Sequence, residues 1–397
     1  MNLSQGRSYL AIPGPSVMPD EVLNAMHHAA PNIYGSALND LAASLARDLK
    51  KVARTEGQVA MYISNGHGAW EAALANLFTP GDKVLVLATG RFGHGWGEMA
   101  TALGLEVQVE DFGKSSAVDM DRFRALLQSD SSHGIKAVLV PHVDTSTSVR
   151  NDVAAMRATL DELKHPALFM VDCIASLGCD RFEMDAWGVD VMVSACQKGL
   201  MVPPGLGFVF YSDKAAAIRA SMERVSKYWD WQPRSDPKVF YQFFGGTAPT
   251  HHMFGLRKAL DMILEEGMEH VWKRHEMLAN AIWAACKKWS DSNVLWLNVD
   301  KIESRSNAVT LINLNAPDGA RVRDWVERTA GLTLGIGLGM ESTEDPNADG
   351  YFRIGHMGHV NAHMILGVLG TIDAALKALD IPHGEGALEA AARELSR

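Results

Sequence analysis

The sequence predicts an α/β protein with a large, mostly parallel sheet, followed by a smaller C-terminal α+β unit. Short apolar runs alternate with amphipathic stretches through the first two thirds of the chain, and strand–helix alternation is typical of an open α/β sheet. A long helical pattern then separates these runs from a region in which strands and helices mix. With 397 residues, of which 47% are hydrophobic, the chain is long enough to bury most of its apolar surface.

The apolar runs of the first two thirds are continuous, which predicts strands that are buried on both faces of a parallel sheet. They are Lys83–Ala88, Lys136–His142, Ala167–Asp172, Val189–Ala195 and Gly207–Ser212. Helices are predicted over Ala69–Leu77 and over Asn151–Leu163, where apolar residues recur at intervals of three and four.

The last third begins with a helical pattern from about Pro249 to about Trp289, which we interpret as a connector. A strand, a helix, a strand and a helix are then predicted, over Ser306–Asn315, Arg321–Thr329, Tyr351–Gly355 and Asn361–Leu379. We therefore predict an N-terminal segment, a large domain and a small domain, covering 1–20, 21–265 and 266–397. The boundary between the two domains is expected within 261–293.

Charge and cysteine content narrow the class of protein. The formal net charge of −10 argues against a general nucleic-acid binder and against a surface that seeks anionic lipid. The four cysteines form no C-x-x-C pair, and few cysteines in a long chain are typical of a reducing compartment. No run has the length of a membrane helix or a signal peptide. We expect a cytoplasmic protein with no metal site and no nucleic-acid or membrane partner.

Lys198 follows a buried-looking strand and precedes the turn Pro203-Pro204-Gly205. Lysine is rarely fully buried, so its place at the end of a core strand needs a reason. One reason is an amine that attacks an aldehyde cofactor. The alternative is a strand-end lysine that reaches solvent, and the lysine alone favours that alternative.

Asp172 ends the strand-like run that precedes the strand before Lys198. In open α/β sheets, ligands bind beyond the carboxyl ends of the strands, where both residues are predicted to lie. A carboxylate there could accept a hydrogen bond from a protonated pyridine nitrogen, or it could cap the next helix. The pairing with Lys198 favours the first interpretation.

Two further patterns point to anion binding. Asn65-Gly66-His67 precedes the predicted helix, and a glycine-rich helix N-terminus binds phosphate through free N–H groups. The pattern matches neither the Walker loop nor the dinucleotide fingerprint. Arg353 lies in a short apolar strand, where its planar fork suits a substrate carboxylate or, equally, a structural ion pair.

A cluster of hydroxyl side chains, Thr145-Ser146-Thr147, follows the predicted strand Lys136–His142. Such hydroxyls could donate a hydrogen bond to a phenolic oxygen of a ligand, or they could form a turn.

These motifs together resemble the class V aminotransferases of fold type I, which use pyridoxal 5′-phosphate. Within that family, the sequence is most similar to the alanine–glyoxylate and serine–glyoxylate aminotransferases. The segments that carry the resemblance are Pro13-Gly14-Pro15, Val171–Gly178, Gln197–Gly207 and Arg353–Gly355.

The resemblance implies a role for each matching residue. Lys198 would hold the cofactor covalently and move the proton, and Asp172 would pair with the pyridine nitrogen. Cofactor contacts are implied for Asn65, Gly66, His67, Phe92, Thr145, Gln197 and, from the neighbouring subunit, Thr247. Substrate contacts are implied for Arg353, Thr145 and, again from the neighbour, Tyr34.

The implied reaction moves an amino group from serine, alanine or aspartate to glyoxylate or, second, to pyruvate. It would be ping-pong, in a homodimer with the active site at the subunit interface. Gly35 and Phe244 stand where family members often have arginine and tyrosine, so the donor stays open.

Two alternatives remain. One is a lyase of the same fold, similar to the cysteine desulfurases or to kynureninase, but a desulfurase needs a late, mobile cysteine and none follows Cys286. The other is a non-catalytic binding protein that retains the fold, which predicts loss of Lys198, Asp172 or Arg353.

Overall fold

Two large β-sheets organise residues 2–397, which the computed structural model describes. The strands, in chain order, are β1 Tyr9–Ala11, β2 Gln58–Ser64, β3 Lys83–Ala88, β4 Glu106–Asp111, β5 Ile135–Pro141, β6 Val143–Asp144, β7 Val149–Arg150, β8 Leu168–Asp172, β9 Val191–Ala195, β10 Gly205–Tyr211, β11 Leu295–Leu297, β12 Val309–Leu314, β13 Leu332–Ile336 and β14 Tyr351–Gly355.

The helices pack on both faces of the first sheet and on the second. They are α1 Asp20–Met26, α2 Ser36–Ala53, α3 Gly66–Leu77, α4 Arg91–Ala102, α5 Met120–Ser129, α6 Val153–Glu162, α7 Asp213–Ser221, α8 Gln232–Ser235, α9 Thr250–Glu266, α10 Met268–Trp289, α11 Asp318–Ala330, α12 Ala362–Ala378 and α13 Ala387–Leu395. None of these helices is both long enough and apolar enough to cross a membrane.

The first sheet has seven strands in the order β2-β10-β9-β8-β5-β3-β4. The pairs β3–β4, β3–β5, β5–β8 and β8–β9 are parallel, and β10 is antiparallel to both of its neighbours. The predicted α/β architecture with a large, mostly parallel sheet is therefore confirmed, and each of the five predicted runs overlaps one strand.

Both faces of this sheet are buried, which explains the continuous apolar runs. On β3, Leu85 and Leu87 pack into the core on one face, while Val84 and Val86 pack into the core under α3 and α4 on the other. Since side chains alternate between the faces of a strand, a sheet covered on both sides needs apolar residues at every position.

The second sheet has five strands in the order β1-β13-β14-β12-β11. Its first strand comes from the N-terminus, because Tyr9–Ala11 pairs in parallel with β13. Gly267, with a φ of 82°, ends the predicted long helix after Glu266, and α10 starts at Met268. The domain boundaries given above stay a prediction.

The parallel strands of the first sheet bring their carboxyl ends to one edge. Asp172 ends β8, Lys198 follows β9 by three residues, and Gly90 follows β3 by two. The loop after β5 forms a tight hairpin of β6 and β7 at the same edge. This edge is where ligands bind in open α/β sheets.

Candidate functional site

A cavity of about 310 Å³ opens at this edge of the sheet. Eight residues predicted from the sequence line it: Asn65, Gly66, His67, Phe92, Thr145, Asp172, Gln197 and Lys198. The other lining residues are Gly14, Pro15, Trp70, Val143, Ile174, Ala175 and Pro204. A neighbouring cavity of about 540 Å³ shares His67, Trp70 and Phe92 with it.

Lys198 is partly buried in the wall of the cavity, and its ammonium donates a hydrogen bond to the Pro13 carbonyl. Burial, followed by the positive charge of Arg353, lowers the pKa of Lys198 to about 8. The neutral form of this amine, which a nucleophile requires, is therefore far more populated near neutral pH than in an ordinary lysine. The amine faces the cavity instead of extending to solvent at the strand end.

Asp172 is 3% exposed, and both of its carboxylate oxygens accept hydrogen bonds. One oxygen accepts from the main-chain N–H of Ile174 at 2.7 Å, and the other accepts from the indole N–H of Trp70 at 3.0 Å. Burial raises the pKa of Asp172 to about 7, while these two bonds act in the opposite direction. Asp172 does not cap an α-helix, because Cys173–Asp180 forms turns.

The N-terminus of α3 forms the part of the cavity that suits an anion. Asn65 caps this helix, since its side-chain oxygen accepts from the N–H groups of His67 at 3.0 Å and Gly68 at 3.3 Å. A Cβ at Gly66 would overlap the end of the Ile174 side chain, so a larger residue there would require Ile174 to move.

Two buried polar atoms near this N-terminus lack partners. Within residues 2–397, the Ser64 hydroxyl and the side-chain oxygen of Gln197 form no hydrogen bond. Buried polar groups are rarely left unpaired, so each unmet group calls for an explanation. Gln197 lines the cavity, and water around a bound phosphate group would donate to its side-chain oxygen.

Asp144 fixes Phe92 at the start of α4. The Asp144 carboxylate accepts the main-chain N–H groups of Phe92 at 2.9 Å and Gly93 at 3.2 Å. A Cβ on Gly90 would lie 2.6 Å from the Asp144 carboxyl carbon, so glycine permits this close approach. Phe92 is thereby held in the cavity wall, which Ile174 and Ala175 also line.

Arg353 is 5% exposed and forms no salt bridge with any carboxylate of residues 2–397. Its guanidinium donates to the carbonyls of Ile336 at 2.6 Å and Thr145 at 2.7 Å. Burial lowers the pKa of Arg353 to about 10, and the charge of Asp144 offsets part of that effect. The structural ion pair is therefore absent, and a buried cation without a counter-ion favours an anionic ligand.

Tyr34 and Thr247 do not join the cavity of their own chain. Tyr34 is 92% exposed, next to the N-terminus of α2, and Thr247 is exposed in the loop before α9. Phe244 is buried three residues before Thr247. The structure therefore leaves both side chains free to contact another molecule.

Sequence reasoning missed Trp70 as a residue of the site. Trp70 lies three positions after His67, and residues three apart on a helix share a face. The predicted anion-binding motif that contains His67 therefore already indicated that Trp70 faces the same site. Its partner Asp172 lies 102 positions away in the chain, which no local pattern indicates.

Comparison with known proteins matches residues 8–338 to the family model described as Aminotransferase class-V. The chain is 34% identical to the serine–glyoxylate aminotransferase of Arabidopsis thaliana, over 98% of this chain and 94% of that protein. It is 35% identical to the L-aspartate–glyoxylate aminotransferase of Paracoccus denitrificans, over 96% of this chain and 94% of that protein.

Solved structures agree with these matches. The ureidoglycine–glyoxylate aminotransferase of Bacillus subtilis has a TM-score of 0.88 and 25% identity, with 100% of both chains covered. The alanine–glyoxylate aminotransferase of Nostoc sp. has a TM-score of 0.83 and 26% identity, with 94% of this chain and 96% of that chain covered.

Proposed function

The chain belongs to the class-V aminotransferases, which depend on pyridoxal phosphate, and we propose that it moves an amino group from a small L-amino acid to glyoxylate or, second, to pyruvate. The observation that carries this proposal is the buried Arg353 guanidinium, which has no carboxylate partner within residues 2–397 and donates to Thr145 in the cavity wall. Amino acids and 2-oxo acids share an α-carboxylate, so one arginine serves both substrates.

The cavity residues divide the work of holding the cofactor. Lys198 supplies the amine that attaches it, and Asp172 supplies the acceptor for the pyridine N–H. Asn65, at the N-terminus of α3, and Gln197 would hold the phosphate, since both line the cavity. When bound, the cofactor supplies an electron-withdrawing ring that stabilises negative charge at the substrate α-carbon.

Lys198 then acts as the base that removes the α-proton and as the acid that returns it. Its lowered pKa, about 8, supports both roles, because proton transfer is most efficient near the working pH. The carboxylate bond to Arg353 fixes the α-carbon relative to this amine. Because donor and acceptor use the same carboxylate site in turn, the kinetics should be ping-pong.

The donor is serine, alanine or aspartate. Relatives that act with glyoxylate carry serine, aspartate and alanine in their names, which supports this set. Gly35, next to Tyr34, has no side chain. If Tyr34 reaches the cavity of the neighbouring subunit, the side chain of the donor amino acid would face Gly35.

A homodimer completes the site in this proposal. Tyr34 and Thr247 are exposed and lie outside the cavity of their own chain, as side chains that reach a partner's cavity must be. A two-fold axis would place two such sites symmetrically.

The lyase alternative is weaker on chemical grounds. All four cysteines are buried, and burial raises the pKa of Cys286 to about 12. A desulfurase needs a reactive thiolate, which this environment disfavours.

The test is an absorption spectrum of the purified protein with pyridoxal phosphate, repeated after adding single amino acids. We expect a visible band that one donor bleaches and that glyoxylate restores. Lys198→Ala should lack both the covalent link and turnover. A wild-type protein that binds no cofactor, or a Lys198→Ala variant with normal turnover, would contradict the proposal.

A further inference from the structure

Trp70 connects the Asp172 carboxylate to the rest of the cavity wall. Its indole N–H donates to Asp172 at 3.0 Å, and the side chain is 1% exposed. The indole stacks on Trp96 with ring centroids 6.0 Å apart and planes inclined by 15°. Its ring also contacts His67 at 4.7 Å and Phe92 at 6.3 Å between centroids. These contacts leave the indole little freedom to turn away from Asp172.

The hydrogen bonds around Asp172 determine which form of its carboxyl fits. Both groups that bond it, the Trp70 indole N–H and the Ile174 main-chain N–H, are donors only. An ionised carboxylate accepts from both and keeps lone pairs free, whereas a protonated carboxyl would turn one oxygen into a competing donor. These two hydrogen bonds therefore favour a carboxylate with capacity for a third donor, and they act against burial, which favours the protonated form.

We propose that Trp70 is a positioning residue of the transaminase, whose indole N–H keeps the Asp172 carboxylate ionised and aimed at the pyridine nitrogen of the cofactor. This inference rests on the proposed pairing of Asp172 with that nitrogen. Trp70 acts only through Asp172, so it contributes to proton removal without contacting the substrate carboxylate, which is bound by Arg353.

Other titratable groups near Asp172 could also affect its protonation. Asp144 raises the pKa of Asp172, and the ammonium of Lys198 lowers it. Cys173 follows Asp172 in the chain, and burial holds the pKa of its thiol well above the ordinary value. His67 lies on α3 with Trp70, and burial lowers the pKa of its imidazole. Trp70 differs from these groups because it offers a directed, neutral donor that does not titrate.

Trp96 provides a matched control. It is also a buried tryptophan of this cluster, 0% exposed, but its indole N–H has no hydrogen-bond partner within residues 2–397. Trp70→Phe and Trp96→Phe therefore remove the same atoms from the same aromatic stack, and only the first removes a bond to Asp172.

The experiment uses the holoenzyme loaded with pyridoxal phosphate that carries ¹⁵N in the ring, and NMR reports the protonation of that nitrogen across pH. In Trp70→Phe we expect the ring nitrogen to lose its proton at lower pH than in wild type. A shift of about one unit in the pKa of that nitrogen changes the protonated population tenfold, so kcat should fall about tenfold at unchanged KM. Trp96→Phe should match wild type in both measurements.

Equal nitrogen titration in Trp70→Phe and wild type would overturn the inference, and so would an equal effect of Trp96→Phe. Asp172→Asn separates this failure from failure of the proposed function. If Asp172→Asn leaves the nitrogen titration unchanged, the pairing itself is wrong, whereas an effect of Asp172→Asn alone rejects only the role of Trp70. Should Trp70→Phe not fold, benzothienylalanine at position 70 keeps the shape of tryptophan and replaces the N–H with sulfur.

Discussion

Single residues of the site are charged or titratable groups whose surroundings shift their pKa or leave their charge unpaired. Lys198 is an amine with a lowered pKa, Asp172 is a carboxyl with a raised pKa, and Arg353 is a buried cation without an acidic partner among residues 2–397. Lys198 and Asp172 line the cavity, and Arg353 bonds to Thr145 in its wall. Perturbed titratable groups gathered in this way are typical of catalytic sites. The sequence predicted these three because each residue type is unusual at the end or in the interior of an apolar strand.

Arg353→Ala should raise the KM of both the amino acid and the 2-oxo acid by roughly 10- to 100-fold. The physical reason is the loss of charge-assisted hydrogen bonds to the carboxylate, worth about 1.5–3 kcal/mol. Arg353→Lys keeps the charge without the planar fork, so its KM values should lie between those of wild type and those of Arg353→Ala. Steady-state kinetics with each substrate varied in turn checks this expectation.

Arg305 is the matched control for that measurement. Its guanidinium also donates to two main-chain carbonyls, those of Val299 and Asp300, each at 2.8 Å. Neither of these residues lines the cavity, whereas Thr145, which accepts from Arg353, does. Arg305→Ala should therefore leave both KM values unchanged. A KM that rises for only one substrate of Arg353→Ala would show that a different residue holds the other carboxylate.

At the scale of elements, the sequence predicted the strands that are buried on both faces of the first sheet and missed strands that lie at a sheet edge. Strand β4 lies at the edge of the first sheet, and its charged residues Glu106, Glu110 and Asp111 interrupt any apolar run. Strand β1 pairs with β13 more than 300 positions later, and no local pattern specifies such a distant partner. No local pattern specifies the hydrogen bond from Trp70 to Asp172 either, because 102 positions separate the two residues.

Helix α3 begins at the proposed phosphate site, so substitution of its N-cap residue tests that proposal directly. Asn65→Ala removes the acceptor for two N–H groups and should lower the free energy of unfolding by about 0.5–2 kcal/mol. If the phosphate binds at this N-terminus as proposed, the variant should also weaken cofactor binding, because the first turn of α3 loosens. Denaturant unfolding and titration with pyridoxal phosphate measure the two effects.

Asn361 caps α12, away from the cavity, and its side chain likewise accepts a main-chain N–H, that of Met364 at 3.2 Å. Asn361→Ala should lower the stability by a similar amount and leave the cofactor affinity unchanged. Equal loss of cofactor affinity in both variants would mean that Asn65 contributes only general stability.

At the scale of the whole molecule, one chain brings most of the predicted site together and leaves two members outside. Eight residues predicted to contact the cofactor line one cavity, and Arg353 bonds to Thr145 in its wall, whereas Tyr34 and Thr247 are exposed elsewhere. A single sequence predicts contacts within its own fold from burial patterns, but a contact between copies leaves no such pattern. Their assignment to a partner comes from resemblance alone and needs an experiment on the assembly.

Mixing two inactive variants provides that experiment. Lys198→Ala lacks the amine, and a double variant, Tyr34→Ala with Thr247→Ala, lacks the side chains proposed to cross the interface. In a mixed dimer, one cavity has Lys198 from one subunit and both Tyr34 and Thr247 from the other. Random re-association should restore about a quarter of wild-type activity, since half of the dimers are mixed and each has one intact site.

The control mixes Lys198→Ala with Asp172→Asn, whose defects lie in the same cavity of each chain. Both sites of that mixed dimer stay defective, so no activity should return. If Tyr34 and Thr247 serve the cavity of their own chain, the first mixture should stay as inactive as the control. Restored activity in the first mixture alone would place the active site between two subunits and would explain why one chain leaves Tyr34 92% exposed.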